Sequence, residues 1–107
     1  MNRITVEQVI NAYKETGVKP QQFTMSPVGR GRCCGLGVIV FKEVGNEIVN
    51  VGKAIEVLNK LGLSDDYING FMRGFDGYRN FLKPNDEQYN GWADGYRSRQ
   101  AAFEEIK

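Results

Sequence analysis

Asp65-Asp66-Tyr67-Ile68-Asn69-Gly70-Phe71-Met72-Arg73-Gly74-Phe75 is followed, from residue 86, by Asp86-Glu87-Gln88-Tyr89-Asn90-Gly91-Trp92-Ala93-Asp94-Gly95-Tyr96. Both stretches read acid, acid, two variable positions, Asn-Gly-aromatic, two variable positions, Gly-aromatic. As helices they place Gly70 with Gly74, and Gly91 with Gly95, one turn apart on a single face. Each glycine inside a helix costs about 1 kcal/mol relative to alanine, so the four together cost about 4 kcal/mol. A small domain tolerates that loss only where the bare backbone gains a close contact. Tyr67, Phe71 and Phe75, and Trp92 with Tyr96, recur at i, i+4 beside the glycines. The expected fold is therefore all-α: a compact small helical bundle with closely packed glycine-containing helices.

Working outward, Val51, Ala54, Ile55, Leu58 and Leu61 form a helical stripe closed by Gly62, and Ser64 caps the next helix. Thr5-Val6-Glu7-Gln8 fits a capping box ahead of Val6, Val9, Ile10 and Tyr13 at helical spacing, with Gly17 as the stop. Asp76-Gly77 ends the first repeat helix. One further turn is expected over 78–82 before Pro84, and Asn85 caps a last helix running towards Glu105. Residues 18–32 show no period and read as a long loop. Residues 33–43 read as a buried helix ended by Gly45-Asn46. The same dipeptide between apolar runs is also a hairpin signal, which leaves an α+β alternative with a short β-hairpin near residues 38–51.

A length of 107 residues suits a single domain, 1–107. A hydrophobic share of 41%, a charged share of 25% and a net charge of +1 argue against disorder and against strong attraction to polyanions. No signal-peptide run opens the chain, and no apolar stretch approaches the roughly 20 residues that span a bilayer. Cys33 and Cys34 are sequence neighbours, which disfavours a structural disulfide between them. These features together give the expectation of a cytoplasmic protein without a membrane partner.

The chain contains no histidine, which removes the usual general base and imidazole metal ligand, and two adjacent thiols make a poor zinc site. Asp65, Asn69, Gly70 and Asp76 fall on EF-hand positions, but Tyr67 and Arg73 stand where ligands are needed. No catalytic residue, metal or cofactor is assigned. In Gly29-Arg30-Gly31-Arg32-Cys33-Cys34-Gly35-Leu36-Gly37, the residues Arg30, Arg32, Cys33, Cys34 and Gly35 are candidates for binding an anion or small ligand. Backbone N–H groups before a helix start favour negative charge and lower a thiol's pKa. The competing reading is a structural turn with small buried cysteines. Arg73, Arg79, Lys83, Arg97 and Arg99 interleave with aromatics, but Asp65, Asp66, Asp76, Asp86, Glu87 and Asp94 share the region, which argues against nucleic acid. Phe71, Phe75, Trp92 and Tyr96 are candidate anchors for a protein partner or a second copy wherever they remain exposed.

The run Cys33-Cys34-Gly35-Leu36-Gly37, then Leu61-Gly62-Leu63-Ser64, Tyr67, Gly70-Phe71, Gly74-Phe75-Asp76-Gly77, and finally Gly91 and Gly95-Tyr96, resembles a pattern in small bacterial and phage-encoded proteins. The resemblance covers mainly residues 33–103 and implies no activity. The functional expectation is a non-catalytic protein-interaction or self-association module, with anion or small-molecule binding by residues 29–37 as the alternative.

Overall fold

The computed structural model describes residues 3–22, 31–78 and 85–106. Among these, five helices run in the order α1 (Val6–Thr16), α2 (Gly35–Glu43), α3 (Val51–Lys60), α4 (Asp65–Phe75) and α5 (Asp86–Glu105). Two-residue strands β1 (Lys19–Pro20) and β2 (Arg32–Cys33) lie between α1 and α2. The fold is a small, mostly α bundle, as the glycine pattern predicts.

The α4–α5 pair organises it. An ideal Cβ built on Gly70 would lie 2.1 Å from the Gln88 carbonyl oxygen, and one on Gly74 2.1 Å from that of Trp92. From the other side, a Cβ on Gly91 would lie 2.2 Å from the Tyr67 carbonyl, and one on Gly95 2.2 Å from that of Phe71. One turn forward on α4 is one turn forward on α5, so the two helices run parallel, with glycine set against backbone at four successive points. Such contact allows Cα–H···O=C interactions and tight dispersion packing, which offset the low helix propensity of the four glycines.

The N-termini of the pair are tied together. The Ser64 hydroxyl caps α4, accepting from Tyr67 N–H at 3.1 Å, and donates to the Glu87 carboxylate. Asn85 and Gln88 form a capping box on α5, and Asn85 Nδ2 donates to Asp66 Oδ2 at 2.9 Å. Asp65, Asp66, Asp86 and Glu87 occupy the first turns, where the helix dipole favours acids.

Tyr67, Phe71 and Phe75 turn inward, with neighbouring ring centroids 6.2 and 6.4 Å apart. They meet Val9, Ile10, Tyr13, Leu36, Val38, Val40, Leu58 and Leu63 in one buried cluster. Helix α1 carries the expected capping box between Thr5 and Gln8, and Gly17 closes it in the left-handed conformation. The Tyr13 hydroxyl donates to the Cys33 carbonyl at 2.7 Å, fixing α1 to the start of α2.

Residues 38–51 form no hairpin. Gly45 (φ 74) and Asn46 (φ 66) are both left-handed, as a hairpin turn would need. Here they end α2: Gly45 N–H donates to the Lys42 carbonyl at 3.2 Å and Asn46 N–H to that of Phe41 at 2.8 Å, a Schellman cap. Helix α2 starts at Gly35 rather than Cys33, because Cys33 is still in β2. β1 and β2 pair in parallel, Lys19 with Arg32 and Pro20 with Cys33, inside a segment expected to be loop. The turn expected over 78–82 lies, apart from Tyr78, outside the described residues. No described helix is long and apolar enough to cross a membrane.

Candidate functional site

Residues 33–37 fold inward. Arg30 lies outside the described residues. Arg32 is exposed on β2, whereas Cys33, Cys34 and Gly35 are buried. A Cβ on Gly35 would sit 3.0–3.2 Å from ring atoms of Phe75 and Phe71, so this glycine lets the chain pass beneath the aromatic core. Cys34 caps α2, its Sγ accepting from Gly37 N–H at 3.4 Å. The N–H groups of Gly37 and Leu36 do favour the thiolate, but burial outweighs them and pushes the Cys34 thiol up to about 11. Burial, with Cys34 beside it, raises Cys33 as well. The lowered thiol pKa expected at this helix start is thus reversed, because desolvation of the charged form exceeds the helix-terminus effect.

A pH dependence follows. The Cys34 thiol is held above its reference value of 9.0, so its contribution to stability is complete below pH 9 and lost as pH rises towards 11. The slope is about 1.4 kcal/mol per pH unit for each such group. Thermal unfolding followed by circular dichroism should show a midpoint that falls steadily from pH 9 to 11 and falls less steeply in Cys34→Ser. A midpoint independent of pH across that window would contradict the buried-thiol assignment.

Of the four aromatic anchor candidates, Phe71 and Phe75 are 0% exposed and are core residues, so they are withdrawn as contacts. Their i, i+4 stripe faces the bundle because the neighbouring glycine face is already taken by α5. Trp92 and Tyr96 are half-buried and belong to a different surface. Along α5, Tyr89, Trp92, Tyr96, Arg99 and Phe103 follow alternating steps of three and four residues, which align on one side of a helix. Ring centroids are 5.9 Å apart for Tyr89–Trp92 and 5.5 Å for Trp92–Tyr96. Tyr89 is 56% exposed and Phe103 43%.

This ridge is braced from α4. Trp92 Nε1 donates to the Tyr78 carbonyl at 2.6 Å, and the Arg73 guanidinium lies 5.6 Å from the centre of the half-exposed Tyr78 ring. Tyr78 N–H and Gly77 N–H in turn donate to the Arg73 and Gly74 carbonyls, with Gly77 at φ 88. Arg99 sits 6.0 Å from the ring centres of both Tyr96 and Phe103. An open depression of about 590 Å³ beside it is lined by Arg99, Gln100, Phe103 and Glu104. Tyr78, Tyr89, Arg99 and Phe103 were not singled out as site residues from the sequence. The three-and-four spacing of residues 89–103 is the signal that finds four of these five α5 positions as apolar.

A second constellation is polar and structural. Buried Asp94 accepts from Arg3 Nε and Nη2, both at 2.9 Å, and from the Tyr67 hydroxyl at 2.6 Å. Ile4 N–H donates to the same hydroxyl at 2.7 Å. Arg97 approaches the carboxylate at 3.6 Å. Tyr67 is 2% exposed, and burial, then its bond to Asp94, raises its pKa. The phenol keeps its proton and cross-links the N-terminal segment, α4 and α5. Nothing in the sequence connects Arg3 with Asp94, which are joined only through the fold.

Among the described residues, no group of three or more cysteine, aspartate or glutamate side chains is placed to hold a metal ion. No protein-family model matches this chain, and neither the search of curated proteins nor that of solved structures returns a match.

Proposed function

We propose that this chain is a non-catalytic, cytoplasmic protein-interaction domain whose contact surface is the Tyr89–Trp92–Tyr96–Phe103 ridge of α5. The carrying observation is a row of large rings left half-exposed or exposed on a helix whose adjacent face is locked by the glycine seam. Aromatic side chains dominate interface energetics, and a rigid helix presents them with little ordering cost. Two free, buried thiols accord with a reducing compartment. The anion-binding alternative draws less support, since Cys33, Cys34 and Gly35 lie in the interior.

Native mass spectrometry of protein taken gently from its host tests the reading. The expected result is a specific complex, with another protein or a second copy, that Tyr89→Asp disrupts without changing the far-ultraviolet circular dichroism. A bound small molecule released on denaturation, with no protein partner, would favour the ligand-binding alternative instead.

A further inference from the structure

Resting on that reading, we infer that the ridge docks a carboxylate-bearing segment of a different protein, with an acidic side chain set against Arg99 and an apolar one against Trp92 and Tyr96. Arg3 and Arg97 pair with Asp94, Lys42 with Glu15, and Lys53 and Lys60 with Glu56. Among the described residues Arg99 forms no ion pair; its Nε is buried without an acceptor, which leaves the terminal N–H groups to meet a partner. A guanidinium held against aromatic rings is fixed in orientation, while its N–H edge keeps the geometry that suits a carboxylate. Gly77, in the left-handed conformation at φ 88, packs beside Arg99: a Cβ there would lie 3.4 Å from Arg99 Nε, an ordinary contact distance. Arg99 therefore stands as an oriented cation between Tyr96 and Phe103, beside an open depression.

A second copy of the chain is the poorer occupant. An α5 laid antiparallel across another brings Asp86 and Glu87 of one copy towards Glu104 and Glu105 of the other. A parallel one sets Arg99 against Arg99. Both arrangements place like charges together, which costs affinity. Glu104, which lines the same depression without pairing to Arg99, makes the inference sharper. An acidic occupant is attracted by residue 99 and repelled by residue 104, so neutralising each changes affinity in opposite directions.

The test selects peptides from a random phage-displayed library on the full chain, then titrates synthetic copies while following Trp92, the one tryptophan in the sequence. Expected are peptides rich in Asp and Glu that shift Trp92 emission, bind Arg99→Gln about tenfold or more weakly, and bind Glu104→Gln about two- to threefold more tightly. Glu104 is exposed, so its variant serves even if Arg99→Gln perturbs the fold. Peptides that shift Trp92 but respond to neither substitution overturn this inference and leave the interaction surface standing. Peptides that bind without affecting Trp92 overturn both. Binding of a single-stranded oligonucleotide in preference to acidic peptides also overturns the inference, because the ridge would then be reading bases by stacking.

Discussion

Replacing Gly74 by alanine is expected to lower the thermal unfolding midpoint by on the order of 15 °C. Alanine improves helix propensity by about 1 kcal/mol. The new methyl, however, would fall 2.1 Å from the Trp92 carbonyl oxygen and 2.8 Å from Tyr96 N. Both are backbone atoms, so no rotamer change relieves the clash and α4 must move away from α5. Overpacking of this kind costs about 3 kcal/mol, occasionally more, and a domain of this size loses about 4–8 °C per kcal/mol. Gly70→Ala, Gly91→Ala and Gly95→Ala should behave alike, because each opposes a carbonyl at 2.1 or 2.2 Å. Leucine at Gly74 or Gly95 should do at least as much damage. Gly52 supplies the control: it lies exposed in α3, where a Cβ would meet only Asn50 Oδ1 at 3.4 Å. Gly52→Ala should therefore raise the midpoint slightly. Differential scanning calorimetry reads all of these, and a neutral Gly74→Ala would remove the seam from the account.

Asp94→Ala should cost about 2–3 kcal/mol, the second large effect. The carboxylate accepts from a buried tyrosine and from both arms of Arg3. Its removal leaves the Tyr67 hydroxyl buried as a donor without its acceptor, which carries the desolvation penalty of an unmade hydrogen bond. Arg3 adds less, since its side chain is 48% exposed and water can replace the lost partner. Tyr67→Phe removes the same donor but strands Ile4 N–H, so it should be destabilising in its own right. In the double variant Asp94→Ala/Tyr67→Phe the losses should fall short of their sum, because the two residues share one bond. Urea titration of the four proteins measures the coupling, and strict additivity would mean that the 2.6 Å contact contributes nothing.

Most helix boundaries were legible because local chemistry sets them. Thr5 with Gln8, Asn50, Ser64 and Asn85 all cap as short polar side chains do, and Gly17, Gly62 and Gly77 close helices in the left-handed conformation. Of these caps, Asn50 alone was not anticipated. Helix α2 was ambiguous for a physical reason: Leu36, Val38 and Val40 are buried around much of its circumference, which erases the amphipathic period that separates helix from strand. Gly45-Asn46 could not decide the matter, since two consecutive left-handed residues serve a hairpin and a Schellman cap equally well. Two-residue β1 and β2 are too short for any alternation to register.

The site was only half legible. Spacing identified the aromatic stripes but not which of them faces outward, because that depends on where the second helix lands. The glycine seam consumes one face of α4, which turns Phe71 and Phe75 into the core and leaves Trp92 and Tyr96 at the edge. The Arg3–Asp94–Tyr67 network joins residues from opposite ends of the chain, and its members carry no local signature. The reading of Cys33 and Cys34 as small buried cysteines holds; the lowered thiol pKa expected of a helix start does not, because burial outweighs the helix terminus.

The most direct test of the ridge as the working surface is site-specific photo-crosslinking in the living host. A benzophenone amino acid would replace Tyr89 on the ridge and, as the reference, Lys60 on α3, both of which are exposed. The account predicts a discrete protein adduct from position 89 that Trp92→Ala weakens, and none from position 60. Equal labelling from both positions, or a specific adduct from position 60 alone, would contradict it.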